Sequence, residues 1–167
     1  GVALDRLGSA AWQARKAKMK QRLRDMAGEL IKVAAARALK TVGKAAPADG
    51  LFDEFCSRFP YTETEDQRRA IDDVLADMGG GLPADRLICG DVGFGKTEVA
   101  LRAAFVIALE GRQVAVVVPT TLLCRQHFQT FQDRFQGYPI RIEQISRLVT
   151  AKRTKEAKGG IRDGSVD

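Results

Sequence analysis

Residues Gly90 to Thr97 read GDVGFGKT, and these eight positions fit the pattern G-x-x-x-x-G-K-[ST]. Each fixed position answers a separate demand of a polyphosphate. Gly90, Gly93 and Gly95 let backbone N–H groups approach oxygens that side chains would block. Lys96 supplies a compact cation able to reach β and γ phosphates, and the Thr97 hydroxyl is placed to ligate a Mg2+ ion bridging them. A helix starting there points its positive dipole end at the anion. The flanks agree with this reading. Arg86-Leu87-Ile88-Cys89 reads as a short buried strand, and Glu98 to Leu109 as a helix with Val99, Ala103, Val106 and Ile107 inward before Gly111 stops it. The stretch predicts nucleoside triphosphate binding, with Mg2+ as the expected companion ion.

Downstream, Gln113 to Val118 (QVAVVV) is a near-continuous β-branched run, the pattern of a strand buried on both faces of a parallel sheet, and Pro119 ends it. Leu122 to Phe135 reads as a helix with Leu123, His127 or Phe128, Phe131 and Phe135 inward, and Ile140 to Ile145 (IRIEQI) as a third strand. Alternating strand and helix predicts an α/β fold, a parallel sheet with right-handed crossovers and flanking helices. Three strands are few for a nucleotide-binding sheet, and Thr150 to Asp167 is charged, carries Gly159-Gly160 and shows no closing element. The sheet is therefore expected to be incomplete, with the chain ending inside the domain. Unpaired strand edges and exposed apolar surface would then favour self-association.

Upstream, the formal charge of +6 is unevenly spread. Residues 1 to 50 carry 11 basic against 4 acidic side chains, and residues 51 to 167 carry 16 against 17. From Ala10 to about Leu39 there is no Pro and one Gly, which predicts one long basic helix. Trp12, Met19, Leu23, Met26, Leu30 and Val33 form a narrow stripe on it, expected to pack on a neighbouring domain or a second copy. Its basic face admits three readings: nucleic acid, an acidic partner, or solvent. Thr41 to Gly50 (TVGKAAPADG) reads as a linker, dividing the chain into residues 1–46, the helix and linker, and 47–167, the nucleotide-binding part. Thr64-Glu65-Asp66-Gln67 has the capping-box form and opens a helix that ends at Gly79-Gly80-Gly81.

Cys56, Cys89 and Cys124 are an odd set without C-x-x-C spacing, so neither a disulfide framework nor a metal cluster is expected. A reducing cytoplasm fits that usage, and no stretch approaches the length of a membrane span. His127, the only histidine, reads as an ordinary packed or surface residue.

RLICGDVGFGKTEVALRAAF (Arg86 to Phe105), followed by VVVPTTLLCRQHF (Val116 to Phe128), resembles a superfamily 2 helicase or translocase motor. Phe94, Glu98 and FPYTETEDQ (Phe59 to Gln67) bring the likeness nearest to the bacterial transcription-repair-coupling factors, ahead of the branch-migration and primosomal helicases. LDRLGSAAWQARKAKMK (Leu4 to Lys20) resembles the helix joining those factors' RNA-polymerase-interacting domain to their motor. The resemblance implies a RecA-like P-loop lobe and an ATP-dependent double-stranded-DNA translocase that displaces stalled RNA polymerase and recruits excision-repair proteins. It implies a nucleotide site made by Gly90, Asp91, Val92, Gly93, Phe94, Gly95, Lys96, Thr97 and Glu98, with Lys96 and Thr97 serving phosphoryl transfer. Gln67 matches an adenine-reading glutamine, although the capping box would use the same amide. Phe59 could stack on adenine or belong to the core. Thr120, Thr121, Ser146 and Arg147, with Arg125 assisting, match positions that grip DNA phosphates, against a reading as ordinary turn caps and solvated helix positions. The water-polarising acidic pair and the second lobe's arginine finger have no counterpart in the sequence, so the chain by itself is not expected to turn over ATP.

Overall fold

The computed structural model describes residues 8–48 and 50–167. Leu4 to Leu7, where the linker-helix resemblance begins, lie outside the described residues. Among the described residues six helices follow in order: α1 (Ala10–Ala38), α2 (Leu51–Ser57), α3 (Glu65–Gly79), α4 (Lys96–Leu109), α5 (Thr121–Arg134) and α6 (Ala151–Asp163). The chain divides into two compact units, Gly1–Val42 and Gly43–Asp167.

In the first unit, α1 starts at Ser9, whose hydroxyl accepts from the Trp12 N–H at 3.2 Å. Its 29 residues carry strong helix formers and one glycine, and none of them is buried. The stripe of Met19, Leu23, Met26, Leu30 and Val33 is exposed along its length. Lys32–Glu29 at 2.8 Å and Gln21–Asp25 at 2.8 Å are local helix-surface pairs.

The second unit is centred on α4, which packs against α2 and α3. Phe55 of α2 and Phe105 of α4 are fully buried and stack with centroids 4.1 Å apart. Phe135 tilts onto both, Phe131 stacks on Phe135 at 5.6 Å, and Tyr138 meets Phe105 edge-on at 4.7 Å. Such contacts add to the burial of large apolar rings. Residues 43–46 are strapped onto this unit. The Ala45 N–H donates to the Met78 carbonyl at 3.0 Å, and Ala46 N–H to Glu110 Oε1 at 3.2 Å.

The expected parallel sheet is not present: the described residues hold helices and no strand. Residues 86–89, 113–118 and 140–145 run without helix, yet no backbone hydrogen bond joins any two of them. β-branched composition favours an extended backbone, but a strand exists only when a neighbour about 4.8 Å away supplies a ladder of partners. Here Val114, Val116, Val118, Ile140 and Ile142 instead line a cavity of about 380 Å³ shared with α5. Leu87 and Val117, 85% and 92% exposed, lack the two-sided burial that a central parallel strand would have. Polar groups of these segments go elsewhere. Arg86 forms ion pairs with Asp73 at 2.9 Å and Asp77 at 2.6 Å on α3, and its hydrogen bond holds the Asp77 carboxyl below the usual carboxylate range. Arg141 N–H donates to Asp167 Oδ2 at 2.7 Å, and Gln113 Nε2 donates to the Ile161 and Val166 carbonyls at 3.0 and 2.8 Å.

The last segment, expected to lack a closing element, forms α6. Thr150 caps it by accepting from Arg153 N–H at 3.4 Å, and Gly164 ends it in the left-handed conformation. Only Ala157 and Gly160 are buried on this helix. A Cβ on Gly160 would lie 2.6 Å from a Val166 methyl, so the contact requires a residue with no side chain. A buried face made of an alanine and a glycine leaves no large-apolar periodicity to read, which is why the helix was not expected.

Truncating Phe55 to Ala should cost about 3–5 kcal/mol, because the stacked aromatic cluster loses its centre and cannot close the gap. Chemical denaturation should show the midpoint falling steeply. A change below about 1 kcal/mol would contradict the placement of the core at the α2–α4 contact.

Candidate nucleotide site

The GDVGFGKT stretch forms a turn whose last residue, Gly95, is the N-cap of α4. Gly93 (φ +87°) and Gly95 (φ +68°) occupy conformations that L-residues rarely adopt. No side chain caps α4, so its first-turn N–H groups have no side-chain acceptor. Lys96 folds back over the turn, with Nζ donating to the carbonyls of Gly90 at 2.7 Å and Asp91 at 2.6 Å. The ammonium, the helix start and the left-handed glycines therefore converge, and the donor set fits a polyphosphate. Asp91, Val92 and Phe94 project outward and are exposed, while Thr97 is half-buried in the first turn of α4. Among the described residues no cluster of three His, Cys, Asp or Glu side chains could hold a metal by itself. A bound Mg2+ would thus take its protein contact from the Thr97 hydroxyl and the remainder from phosphate oxygens and water.

Gln67 stands beside this turn. Its Oε1 accepts from Thr64 N–H at 2.8 Å while Thr64 Oγ1 accepts from Gln67 N–H at 3.2 Å, completing the capping box that starts α3. Its Nε2 also donates to the Phe94 carbonyl at 2.9 Å. The hydrogen bonds of Gln67 are those of the capping-box reading, and the cap holds its amide against the phosphate loop. A Cβ on Gly95 would lie 2.4 Å from Gln67 Nε2, so any other residue there must push the Gln67 amide aside as well as hold a left-handed backbone.

Under the loop lies a set of charges that sequence reasoning did not find. Glu98 and Arg102, one helical turn apart on α4, are each 5% exposed. Arg102 Nε donates to Glu98 Oε1 at 3.0 Å, and its Nη2 donates to Glu63 Oε1. Arg134 of α5 reaches the same Glu98 oxygen at 2.8 Å and the Phe55 carbonyl at 3.3 Å. Arg134 Nε and Nη1 have no hydrogen-bond partner, and the guanidinium lies 4.3 Å from the Phe55 ring centroid, where the π face faces the cation. Burial alone would lower the Arg102 pKa, but the hydrogen bonds it donates to Glu63 and Glu98 outweigh that and the result is raised. Burial pushes the neighbouring Cys56 thiol up, outweighing the opposing pull of Arg102. Phe59 is half-buried between the two guanidinium groups, 5.8 Å from Arg102 and 5.9 Å from Arg134, with Tyr61 edge-on at 5.5 Å. The only sequence signal for this set was Glu98 and Arg102 at i, i+4 inside an otherwise apolar helix.

The remaining expected positions are separate from the loop. Thr120 caps α5 by accepting from Leu123 N–H at 3.2 Å. Ser146 Oγ accepts from Leu148 N–H at 3.3 Å, and Cys124 Sγ contacts the Ile145 carbonyl at 3.9 Å, linking the start of α5 to the segment before Ser146. Thr121 is half-buried, whereas Arg125 and Arg147 are exposed. His127 is half-buried and lines the apolar cavity. No described helix is long and apolar enough to cross a membrane.

Comparison with known proteins places these features in a family. The DEAD/DEAH box helicase family model matches residues 64–165. The chain is 48% identical over 98% of its length to the transcription-repair-coupling factor of Rickettsia bellii, covering 15% of that protein. It is 48% identical over 99% to that of Myxococcus xanthus and 47% identical over 98% to that of Escherichia coli, covering 14% of each. The chain thus spans about one seventh of the length of these relatives. Among solved structures, RecG bound to a three-way DNA junction matches with a TM-score of 0.71 and 30% identity, covering 78% of this chain and 18% of that one. The chain belongs to the DEAD/DEAH box helicase family and is similar over nearly its whole length to the transcription-repair-coupling factors.

Proposed function

We propose that this chain is the phosphate-gripping part of an ATP-dependent double-stranded-DNA translocase that displaces stalled RNA polymerase and couples transcription to nucleotide-excision repair in the cytoplasm. The observation that carries the proposal is the convergence of Lys96, two left-handed glycines and the uncapped start of α4 on one turn. In this reading the backbone of Gly90 to Gly95 and Lys96 hold β and γ phosphates, and Thr97 contacts Mg2+, which neutralises charge on them. Glu98 supports the first turn of α4, with Gln67 and Phe59 on the base side. Thr120, Thr121, Ser146, Arg147 and Arg125 contact the DNA backbone, which suits a motor that must track any sequence. The chain alone binds nucleotide weakly at best and does not hydrolyse it, since its sequence carries no acidic pair after an apolar run to polarise water. The exposed stripe of α1 passes force to the polymerase-contacting part of the longer protein. Similarity to RecG supports a second reading, a branch-migration helicase, but identity and the share of this chain that is covered are both higher for the coupling factors.

Calorimetry should show at most weak ATP binding, which Lys96→Ala abolishes, and equal affinity in wild type and variant would defeat the assignment. Gly95→Ala should weaken binding as well, because the new methyl must displace Gln67 from the Phe94 carbonyl and strain the left-handed N-cap. DNA binding by the full-length translocase should weaken steeply with salt, and Arg147→Ala should reduce the slope of log K against log salt by about one. An unchanged slope would remove Arg147 from the DNA contact. Met26→Asp with Leu30→Asp in the full-length translocase should leave ATPase intact while polymerase displacement falls, and undiminished displacement would exclude α1 as the coupling element.

A further inference from the structure

Two segments must be held at a fixed separation if one nucleotide is to touch both: the phosphate turn at the start of α4, and residues 59–67, which carry Phe59 and Gln67. The Gln67–Phe94 hydrogen bond joins them directly, but a single amide bound to the carbonyl of an exposed loop residue is a weak fixture. The stronger connection is below. Arg102 is rooted in α4, six residues after Lys96, and its guanidinium donates from separate nitrogens to Glu98 and Glu63. Glu98 follows Thr97 directly, and Glu63 precedes the α3 N-cap Thr64, whose capping box includes Gln67. The same guanidinium lies 5.8 Å from the Phe59 ring centroid.

We infer that Arg102 is a positioning residue that fixes the Phe59–Gln67 segment against the phosphate turn by bridging Glu63 and Glu98, so that discrimination between nucleotide bases depends on it. This rests on the reading of Phe59 and Gln67 as the base side of the site. A planar fork with several donors suits the task, because two carboxylates on different segments can be held at once in a fixed orientation. Arg134 completes the set by sharing Glu98 Oε1, leaving two guanidinium groups against two carboxylates with no net buried charge. Arg102 itself has no need to touch the nucleotide: it is 5% exposed beneath the loop.

The test compares ATP, GTP and inorganic tripolyphosphate as competitors against a fluorescent ATP analogue, on wild type, Arg102→Met and Glu63→Ala. Arg102→Met also strips a partner from buried Glu98 and could unfold the unit. Glu63→Ala leaves the Glu98–Arg102–Arg134 set intact at a partly exposed edge and keeps the test decisive. In Glu63→Ala the preference for ATP over GTP should fall by roughly tenfold, the scale of one charge-assisted hydrogen bond, while tripolyphosphate affinity stays at the wild-type value. A purely structural role would lower affinity for all three ligands by one common factor, and that result would overturn the inference. An unchanged ATP-to-GTP ratio in Glu63→Ala would overturn it too. Wild type that binds tripolyphosphate with no preference between ATP and GTP would instead defeat the base-side reading, and the inference with it. Wild type that binds none of the three would defeat the nucleotide site as a whole.

Discussion

Glu98 and Arg102 are buried one turn apart on the helix that begins at the phosphate turn, and the surrounding architecture follows from satisfying them. An isolated charge in a protein interior is very costly, and a buried pair repays that cost only when geometry and additional hydrogen bonds are good. Arg102 therefore needs Glu63 as well as Glu98, and Glu98 needs Arg134 as well as Arg102. These requirements bring the start of α3, the body of α4 and the end of α5 to one point. Removing either fully buried member, Glu98 or Arg102, strips its partners of their counter-charge in the interior, so the buried part of the set behaves as a unit.

The aromatic cluster supplies the apolar counterpart. Phe55, Phe105 and Phe135 fill the space between α2, α4 and α5, and the Arg134 guanidinium closes the gap between that cluster and the charges by lying over Phe55. A cation against a ring face tolerates the absence of hydrogen-bond partners on two of its nitrogens better than a cation in aliphatic surroundings would. Hydrophobic packing holds the helices together, and the charge set fixes how the site-bearing segments are aligned on them.

Function follows from what this leaves at the surface. The start of α4 presents uncapped N–H groups, Lys96 curls over the turn, and Gln67 is pinned beside it by a capping box whose first purpose is to begin α3. One side chain thus serves local helix formation and the site together. The positions expected to meet DNA lie on a different part of the same unit, at the start of α5 and beside Ser146. A Cys124–Ile145 contact connects the two segments there.

The sequence by itself determined the local features: the phosphate turn from its glycine, lysine and threonine spacing, α1 from composition, α3 from its capping box, and the family from its motifs. Each depends on neighbours a few residues apart, which is the range over which backbone geometry and capping act. Tertiary structure decided the remainder. Residues 113–118 carry every local sign of a strand, yet pairing is a relation between distant segments, and here a cavity lies where a partner would be. α6 went unread because a face of Ala157 and Gly160 packs by being small and leaves no apolar rhythm. The charge set went unread because Glu63, Glu98, Arg102 and Arg134 are scattered over more than seventy positions. Only the folded chain brings them within hydrogen-bonding distance.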